Sequence, residues 1–454
     1  MNKLVMTFGA AVALCVATTA VSSFAATYSE TASGIDWTYQ AGSVLADGTT
    51  AATLGDGSSA CIATSTAVDA ANIPWTFTDN GTDYTVTAIA AKAFYGCSGL
   101  SGTLTIPDAV TSMGKQAFYH CSSLSAIASL GGVTKLLEDT FRMSDASSTA
   151  LPGSDYPDMS RLTSIGKNVF GYCGMGGTVR LDSLSSGEIN CDSVFNRAAV
   201  TNIVFPRRAI NLTGNYMFMY NTRLEGFYFP GPDSSGVAMI RKSQCFDGDT
   251  ALKVFLAGPR TGVSTKWGSS DANMFNGISG CRIFVPAGNL GSTTYYGDWD
   301  TYLTDEQVNG NTVLRYGSGR ELDLSFDHDT KTITAMPATA HALTNVLAAA
   351  STFKGVFGYN TKICMTNAIE VAEGTLTDEL AGNVQFESLV FNVKTQAQLD
   401  MVLAATDGVS TPLCLDPSGA KEKMVLPADR KAWVLLSGEG EYRPYINGFI
   451  ISFR

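Results

Sequence analysis

The chain of 454 residues is long enough for two or three domains. Only 16% of its residues are charged and the formal net charge is −11, which argues against an extended nucleic-acid surface or a patch for anionic membranes. Its 45 glycines, with frequent serine and threonine, predict many turns and short strands rather than long helices.

The first 25 residues have the pattern of a secretory signal peptide. Lys3 supplies the positive charge, residues 4–16 are an apolar run of 13, and Ser23 and Ala25 place small side chains at positions −3 and −1 of a cleavage site. We predict cleavage after Ala25 and a secreted or cell-surface location. Lipidation at Cys15 is the lesser alternative, because the residue before it is a leucine. No later run of 18 apolar residues occurs, so no transmembrane helix is predicted.

Residues 26–88 are predicted to form an N-terminal capping β region. IDWTYQ (35–40) and the stretches rich in serine, threonine and glycine around it are typical of short strands and turns. A stack of repeats needs such a cap, because an open end exposes apolar side chains and an unpaired strand edge.

A repeat begins at residue 89. IAAKAFYGCSGL (89–100) and MGKQAFYHCSSL (113–124) match closely at a spacing of 24 residues. Alignment on the aromatic residue extends the series to eight copies, at intervals of 24, 23, 29, 25, 23, 28 and 29 residues. The aligned residues, which we predict to form the repeat core, are Phe94, Phe118, Phe141, Phe170, Phe195, Phe218, Phe246 and Phe275.

Repeats of this length are typical of leucine-rich-repeat solenoids. Short apolar strands recur after the aromatic residue, as in LTIP (104–107), IVFP (203–206), FYFP (227–230) and IFVP (283–286). One unit cannot close its own core, so each must stack on its neighbour, with strands about 4.8 Å apart. The fold prediction is therefore a β-rich leucine-rich-repeat solenoid over 89–305, a right-handed coil of about eight short-strand repeats.

The stretch YTVTAIAAKAFYGCSGLSGTLTIPDAVTSMGKQAFYHCSSL (84–124) resembles the BspA-like leucine-rich repeat proteins. The likeness covers about residues 73–305, from the lead-in IPWTFTDNGTDYTVTAIAAKAF to the closing coil VPAGNLGSTTYYGDWDTYL (285–303). It is strong in the first two units and degraded after Phe195. The resemblance implies a secreted or surface-exposed bacterial protein used for adhesion or other extracellular contacts. It implies no catalytic residues, so none are assigned.

Nine cysteines follow the predicted cleavage site, without a CxxC pair that would indicate a zinc knuckle or a thioredoxin-type motif. Three residues after the aligned phenylalanine, the series runs Cys97, Cys121, Ser144, Cys173, Ala198, Asn221, Asp249, Ile278. This pattern predicts a small, partly buried slot in which cysteine packs as a small hydrophobe. We expect Cys97, Cys121 and Cys173 to be free thiols that face the interior.

Other candidates for chemistry are few, and we predict no catalytic, cofactor-binding or metal-binding residues. His328 lies between Asp327 and Asp329, where a metal site is possible, but an Asp-rich turn between two strands is the favoured interpretation. The segment 298–300 (Asp-Trp-Asp) could bind a sugar. We favour a closing coil in which Trp299 covers the end of the core.

Residues 306–454 are predicted to form a small α+β domain of unknown role that folds separately. Residues 321–327 and 331–336 alternate as in a hairpin, and 342–353 has a helical composition. A strand over 386–394, a helix over 395–406 and further short strands follow.

Four residues at non-core repeat positions are candidates for contact with a partner: Tyr95, Tyr119, His120 and Tyr172. Exposed aromatic residues give contact area at low entropic cost. The alternative for each is ordinary packing at the corner of a repeat, which is the commoner role of such residues.

Three functions are compatible with the sequence. The first is an exported, non-catalytic protein for adhesion-type interaction with an extracellular protein or glycan. The second is a structural envelope or matrix protein that self-associates through 306–454. The third is an enzyme with its site in 306–454, which would need a deep polar pocket near His328. The sequence predicts no cofactor and no nucleic-acid partner, and it leaves the ligand and the oligomeric state open.

Overall fold

The computed structural model describes residues 25–30, 33–143, 151, 155–185, 188–190, 192–240, 245–263, 274–288, 299–303, 307–308, 310–364, 369–370, 384–387, 390–392, 396, 399–400, 413–416, 425, 432–435, 442–446 and 449–450. The predicted signal peptide lies outside these residues, except for Ala25, and so do Ser144, Cys191 and Asp298.

The N-terminal strands are β1 (Ala25–Ser29), β2 (Asp36–Val44), β3 (Thr50–Leu54), β4 (Val68–Asp69), β5 (Thr76–Asp79) and β6 (Thr82–Ile89). All but β4, which pairs in parallel with the first repeat strand at Leu100 and Ser101, form one mixed sheet. Five of them pair in the order β1-β2-β3-β6-β5, and only β3 and β6 are parallel within that order. This sheet covers the first repeat, because the fully buried Trp37 ring meets the edge of Phe94 at a centroid distance of 6.4 Å.

The repeats supply alternating long and short strands, which are β7 (Leu100–Ile106), β8 (Ser112–Met113), β9 (Leu124–Leu130), β10 (Lys135–Leu136), β11 (Ser164–Ile165), β12 (Gly176–Arg180), β13 (Glu188–Asn190), β14 (Ala199–Val204), β15 (Asn211–Thr213), β16 (Gly226–Phe229), β17 (Ala238–Ile240), β18 (Val254–Ala257), β19 (Thr261–Val263) and β20 (Arg282–Pro286). We call β7, β9, β12, β14, β16, β18 and β20 the long strands. They pair in parallel as β7 with β9, β12 with β14, β16 with β18 and β18 with β20. The short strands pair in parallel in the same way.

All eight aligned phenylalanines are buried and stack face to face. Successive ring centroids lie 4.8 to 6.2 Å apart, with interplanar angles of 2 to 12°. The inner side chains of the long strands belong to the same hydrophobic cluster as this stack, for example Leu104, Phe227 and Ile283. Each ring pair adds about 0.5–1.5 kcal/mol beyond its buried area.

The strand pairing continues across residue 305. The next elements are α1 (Trp299–Tyr302), β21 (Gln307–Val308), β22 (Asn311–Tyr316), β23 (Leu322–Asp327), β24 (Thr332–Pro337), α2 (Ala340–Gly355) and β25 (Asn360–Cys364). β22 pairs in parallel with β20, and the predicted hairpin is present as β23 and β24. The Thr339 hydroxyl caps α2 by accepting the N–H of Ala342 (3.1 Å). The division at 305/306 and the separate folding of residues 306–454 stay predictions.

Helix α2 covers the outer side of the last long strands. A second hydrophobic cluster joins the outer side chains of β16, β18, β20 and β22 to the helix. Its strand members are Tyr228, Leu256, Phe284 and Leu314, and its helix members include Val346, Ala350 and Phe353. The repeat stack is thus buried on both sides near its C-terminal end.

The remaining strands are β26 (Ile369–Glu370), β27 (Val384–Glu387), β28 (Val390–Asn392), β29 (Leu413–Asp416), β30 (Ala432–Leu435), β31 (Tyr442–Ile446) and β32 (Phe449–Ile450). β26, β28, β29 and β30 pair in parallel through Ile369, Phe391, Leu415 and Val434, which are 22, 24 and 19 residues apart. These spacings are close to those of the repeats, and the sequence pattern does not predict this stacking. Of the predicted helix over 395–406, only Gln396, Leu399 and Asp400 are described.

Candidate functional site

Each repeat turns at a corner that is centred on its aligned phenylalanine. The N–H groups of the phenylalanine and of the residues two before and two after it donate to carbonyl oxygens of the next repeat. At Phe118 these bonds run from Gln116 to Glu138, from Phe118 to Thr140 and from His120 to Arg142, at 3.0, 2.8 and 2.9 Å. The corners therefore stack by a ladder of main-chain hydrogen bonds.

The residues two before and two after the phenylalanine have a left-handed backbone in most repeats. Ten that are not glycine have φ between 53 and 62°: Lys92, Gln116, His120, Asp139, Asn168, Tyr172, Ser193, Arg197, Tyr216 and Tyr220. Such a conformation costs a non-glycine residue about 1–2 kcal/mol. Glycine occupies the position two after the phenylalanine in three repeats, as Gly96, Gly248 and Gly277. Long side chains are thus kept at corners where glycine is conformationally cheaper.

A row of side chains runs along the corners, one or two residues after each aligned phenylalanine, and we call it the tyrosine–arginine ladder: Tyr95, Tyr119, Arg142, Tyr172, Arg197 and Tyr220. Of these six, Tyr172, Arg197 and Tyr220 have the left-handed backbone. The rings of Tyr95 and Tyr119 stack with centroids 4.8 Å apart. The Arg142 guanidinium carbon lies 6.0 Å from the ring centre of Tyr119 and 5.6 Å from that of Tyr172. Arg197 lies 5.9 Å from Tyr172 and 4.4 Å from Tyr220. Each exposed cation–π contact of this kind contributes about 0.5–1 kcal/mol.

The ladder is partly open to solvent. Tyr95 and Tyr220 are 39% and 37% exposed, while Tyr119, His120 and Tyr172 are half-buried. The structure brings the three candidate tyrosines into one row and places His120 beside Tyr119, with ring centroids 6.5 Å apart. The rings pack against neighbours and still present surface, so their contact with a partner stays a prediction.

Three members of the ladder were missed by the sequence prediction, namely Arg142, Arg197 and Tyr220. A signal for them was available. The alignment on phenylalanine puts Arg142 one residue after Phe141 and puts Arg197 and Tyr220 two residues after Phe195 and Phe218. The prediction covered three tyrosines and a histidine in the better-preserved repeats. It left out Arg142 and Arg197, the cations that stack against those tyrosines.

The ladder is electropositive on an acidic chain. Lys92 lies 5.9 Å from the ring centre of Tyr95, which adds a third cation to Arg142 and Arg197. Arg142 pairs with Asp139 at 3.5 Å, and Asp139 also accepts a hydrogen bond from Gln116 (3.3 Å). The described cations of the row outnumber its carboxylates, although the whole chain has a net charge of −11.

The repeated cysteine is buried and acts as a hydrogen-bond donor. Its Sγ atom donates to the carbonyl oxygen of the phenylalanine one repeat earlier, from Cys121 to Phe94 (3.1 Å) and from Cys173 to Phe141 (3.0 Å). Asn221, at the same repeat position, donates its Nδ2 to Phe195 (2.6 Å). In these three repeats the slot residue donates a hydrogen bond, whereas the sequence predicts only a small hydrophobe, a description that still fits Ala198.

Cys97, Cys121 and Cys173 are free and buried, as predicted. Burial raises the pKa of Cys97 to about 11 and that of Cys173 to about 12. Both are therefore thiols rather than thiolates at neutral pH. Because the thiolate is the reactive form, this environment favours a structural role.

The possible metal site around His328 and the possible sugar site at 298–300 both contain described residues that have a structural role. Asp327 accepts the N–H groups of Asp329 (3.0 Å) and Thr330 (2.9 Å), which closes the turn between β23 and β24. Trp299 is buried, and its Nε1 donates to Thr261 Oγ1 at 3.2 Å. Within the described part of the chain, no group of three or more His, Cys, Asp or Glu side chains is placed to hold a metal ion.

A family model for the BspA type leucine rich repeat region matches the chain in six copies, over residues 77–175 and 155–255. Curated proteins include no match to the sequence. Similar solved structures are a leucine-rich repeat protein from Bacteroides ovatus (15% identity, 83% of this chain and 98% of that one, TM-score 0.33), the pneumococcal vaccine antigen PcpA (12%, 88% and 99%, 0.30) and a leucine rich cell surface protein from Faecalibacterium prausnitzii (14%, 57% and 89%, 0.24). Among the described residues, no helix has the length and apolar character needed to cross a membrane. Residues 77–255 therefore carry repeats of the BspA type, the family that the sequence resembles.

Proposed function

We propose that the protein is an exported, non-catalytic recognition protein whose repeats coil into a right-handed solenoid and whose tyrosine–arginine ladder contacts an extracellular protein or glycan. The observation that carries the proposal is the ladder itself. Its aromatic and guanidinium groups occupy six successive corners, and three of the residues, Tyr172, Arg197 and Tyr220, have a left-handed backbone in which glycine would be cheaper.

The composition of the ladder suits recognition. Tyrosine and arginine are enriched among the residues that contribute most binding energy at interfaces. The stacking of Tyr95 on Tyr119 and of Arg197 on Tyr220 (4.4 Å) holds these side chains in place before a partner arrives. Preorganised side chains lose less conformational entropy on binding. The ladder spans six repeats, so its two ends lie five steps apart, or roughly 25 Å at about 4.8 Å per step. This length suits an extended partner.

Extracellular location rests on two supports. The first is the signal-peptide pattern that ends at Ala25. The second is the resemblance to BspA-like proteins, which implies extracellular contacts. Hydrogen-bonded corners and parallel strands make the repeats stiff, so the ladder keeps its spacing.

An array of glycans and host-matrix proteins, probed with the mature chain, tests the proposal. A variant with Tyr95, Tyr119 and Tyr172 replaced by Ser is expected to lose binding while its thermal midpoint stays within a few degrees. Collapse of the fold in this variant would assign the tyrosines to corner packing. Unchanged binding by a folded variant would remove the ladder as the contact surface.

One observation bears on the enzyme hypothesis, since a polar cleft lies beside His328. Its lining includes the cations Arg180, Arg207 and Lys331, which suit an anionic ligand. Self-association through 306–454 stays a prediction, and sedimentation over a range of concentrations would test it.

A further inference from the structure

A cleft of about 770 Å³ lies where helix α2 stops covering the long strands. One wall comes from the outer sides of β12, β14 and β16, through residues such as Arg180, Asn202 and Tyr228. The other wall comes from Lys331, in the turn between β23 and β24, and from the segment 355–359 between α2 and β25. Its volume falls in the range of sites for small molecules.

Cations stand on both walls. Arg180 and Arg207 line the repeat side, and Lys331 lines the opposite side. Asp182 partly neutralises Arg180, from which it lies 2.7 Å away. Arg207 forms an ion pair with Asp233, with its Nε 3.6 Å from the carboxylate, and it keeps further N–H groups for a ligand. Lys331 stands over the Tyr359 ring at 5.1 Å and makes no ion pair within the described part of the chain. These two cations are therefore the groups best placed to bind an anion.

Two buried phenol groups shape the wall of the cleft. Tyr228 is only 8% exposed, its hydroxyl oxygen has almost no accessible surface, and the hydroxyl of Tyr359 is its neighbour. The Tyr359 hydroxyl also lies 2.8 Å from His328 Nδ1. Both phenol groups therefore pack within the wall rather than donate to a ligand in the cleft.

Aromatic and amide groups complete the lining. The Phe357 ring is half-buried and packs at a centroid distance of 5.6 Å from Tyr228. Asn202 adds an amide on the repeat wall. An apolar ring, hydrogen-bonding groups and cations in one cleft match a ligand that has an apolar face, many hydroxyl oxygens and a negative charge.

We propose that this cleft binds an acidic saccharide, a sugar chain that carries a carboxylate or a sulfate group. Arg207 and Lys331 take the anionic group from opposite walls. Asn202 donates its amide to a sugar oxygen, and Phe357 contacts the face of a sugar ring. The proposal adds a second site to the chain and does not depend on the tyrosine–arginine ladder.

Isothermal titration calorimetry on the mature chain tests the proposal with three probes: trigalacturonic acid, a sulfated heparin disaccharide and neutral maltotriose. We expect at least one acidic probe to bind and maltotriose to bind at least about tenfold more weakly, a difference of about 1.4 kcal/mol. Comparison of the two acidic probes identifies the preferred anionic group. Absence of binding by both at millimolar concentration, or equal binding of maltotriose, would overturn the proposal.

Variants locate the site. Arg207→Ala and Lys331→Ala are each expected to weaken binding by about tenfold, as loss of a charged hydrogen bond does. The matched controls Arg161→Ala and Lys115→Ala remove exposed cations from other repeats and should leave the affinity unchanged. If the cleft variants bind as the wild type does, the ligand lies elsewhere.

Tyr228→Phe is a control at the wall of the cleft, because it keeps the buried ring and removes only a hydroxyl that a ligand does not reach. We expect its affinity for the acidic saccharide to equal that of the wild type. A loss as large as that of Arg207→Ala would place the ligand against the buried phenol groups and overturn the assignment to the two cations. The triple ladder variant should bind the acidic saccharide normally, which separates failure of this proposal from failure of the ladder.

Discussion

The first and last long strands share their pairing but differ in their outer side chains. Strand β7 alternates, with Thr105 exposed between buried Leu104 and Ile106. Strand β20 has Phe284 at the same place in its motif, and this residue is fully buried under α2, 5.6 Å from Phe353 between ring centres. The same repeat geometry thus leaves the outer face of the strand open to solvent or lets a helix pack on it. The two cases differ at the second position of the motif, which is Thr105 in β7 and Phe284 in β20.

The intermediate strands show the transition. The residue before the phenylalanine of the motif is Val204 in IVFP and Tyr228 in FYFP. Val204 is half-buried, Tyr228 is buried, and both line the cleft. The cleft therefore arises where the outer face changes from open to covered. The outer position is a threonine where water meets it and a large apolar or aromatic residue where the helix meets it, as the hydrophobic effect requires.

The inner sides of early and late repeats should be energetically alike, although the outer sides differ. Phe118→Ala and Phe246→Ala each remove one ring from the same buried stack. We expect each to lower the free energy of unfolding by about 3–5 kcal/mol, as large aromatic truncations in cores do. Denaturant unfolding followed by circular dichroism measures the change. A loss under about 1 kcal/mol for either variant would contradict continuous stacking.

The outer sides should respond very differently to the same kind of change. Phe284→Ala opens a cavity beneath α2, and we expect it to cost about 3 kcal/mol. Thr105→Ala alters an exposed side chain on the open face and should change the stability by less than about 0.5 kcal/mol. The pair is measured by denaturant unfolding under one set of conditions. Equal costs would mean that helix α2 does not cover β20 in solution.

The slot after the phenylalanine also differs between early and late repeats. It holds neutral Cys121 early and Asp249 late, and burial raises the pKa of Asp249 to about 9 from an ordinary value near 4. Its folded form prefers the proton, so its contribution to stability is complete below pH 4 and is lost as the pH rises toward 9. Each pH unit in that window costs about 1.4 kcal/mol at most.

Asp249→Asn should flatten this dependence. The asparagine keeps an oxygen for the N–H of Asn221, which Asp249 accepts at 2.6 Å, and it carries no charge. We expect the variant to match the wild type near pH 4 and to be clearly more stable at pH 8, measured by thermal unfolding across that range. Asp108→Asn, at an exposed aspartate, is the control and should leave the slope unchanged. Parallel slopes in wild type and Asp249→Asn would refute the burial of a protonated carboxyl group.

The repeat core could be predicted because its physics is local and periodic. Phe94 and Phe118 recur at a fixed spacing, since every repeat must supply one ring to the same stack. The covering by α2 could not be predicted with equal ease, because it depends on contacts between residues such as Phe284 and Phe353, 69 positions apart. One signal was nevertheless present. FYFP and IFVP lack the alternation of LTIP, and continuous apolar strands are typical of sheets that are buried on both faces.

The candidate site was predictable only in part. Tyr95, Tyr119 and Tyr172 stood out as aromatic residues near the corner. The role of Arg142 and Arg197 depends on the stacking of corners, which brings side chains of neighbouring repeats within cation–π distance. The cleft draws its walls from residues about 150 positions apart, such as Arg180 and Lys331, and no local pattern marks it.

A small effect on stability is expected at the surface of the ladder, where one repeat supplies its own control. Tyr220 and Tyr216 belong to the same corner, have left-handed backbones with φ of 61 and 57°, and are 37% and 39% exposed. Only Tyr220 stacks with Arg197 in the described contacts. Tyr220→Ser should therefore cost about 0.5–1 kcal/mol, the value of one exposed cation–π contact, and Tyr216→Ser should cost less. If the ladder is the contact surface, Tyr220→Ser weakens binding to the partner found on the array and Tyr216→Ser does not. Equal losses would indicate that the whole corner contributes, and no loss in either would place the contact outside this end of the ladder.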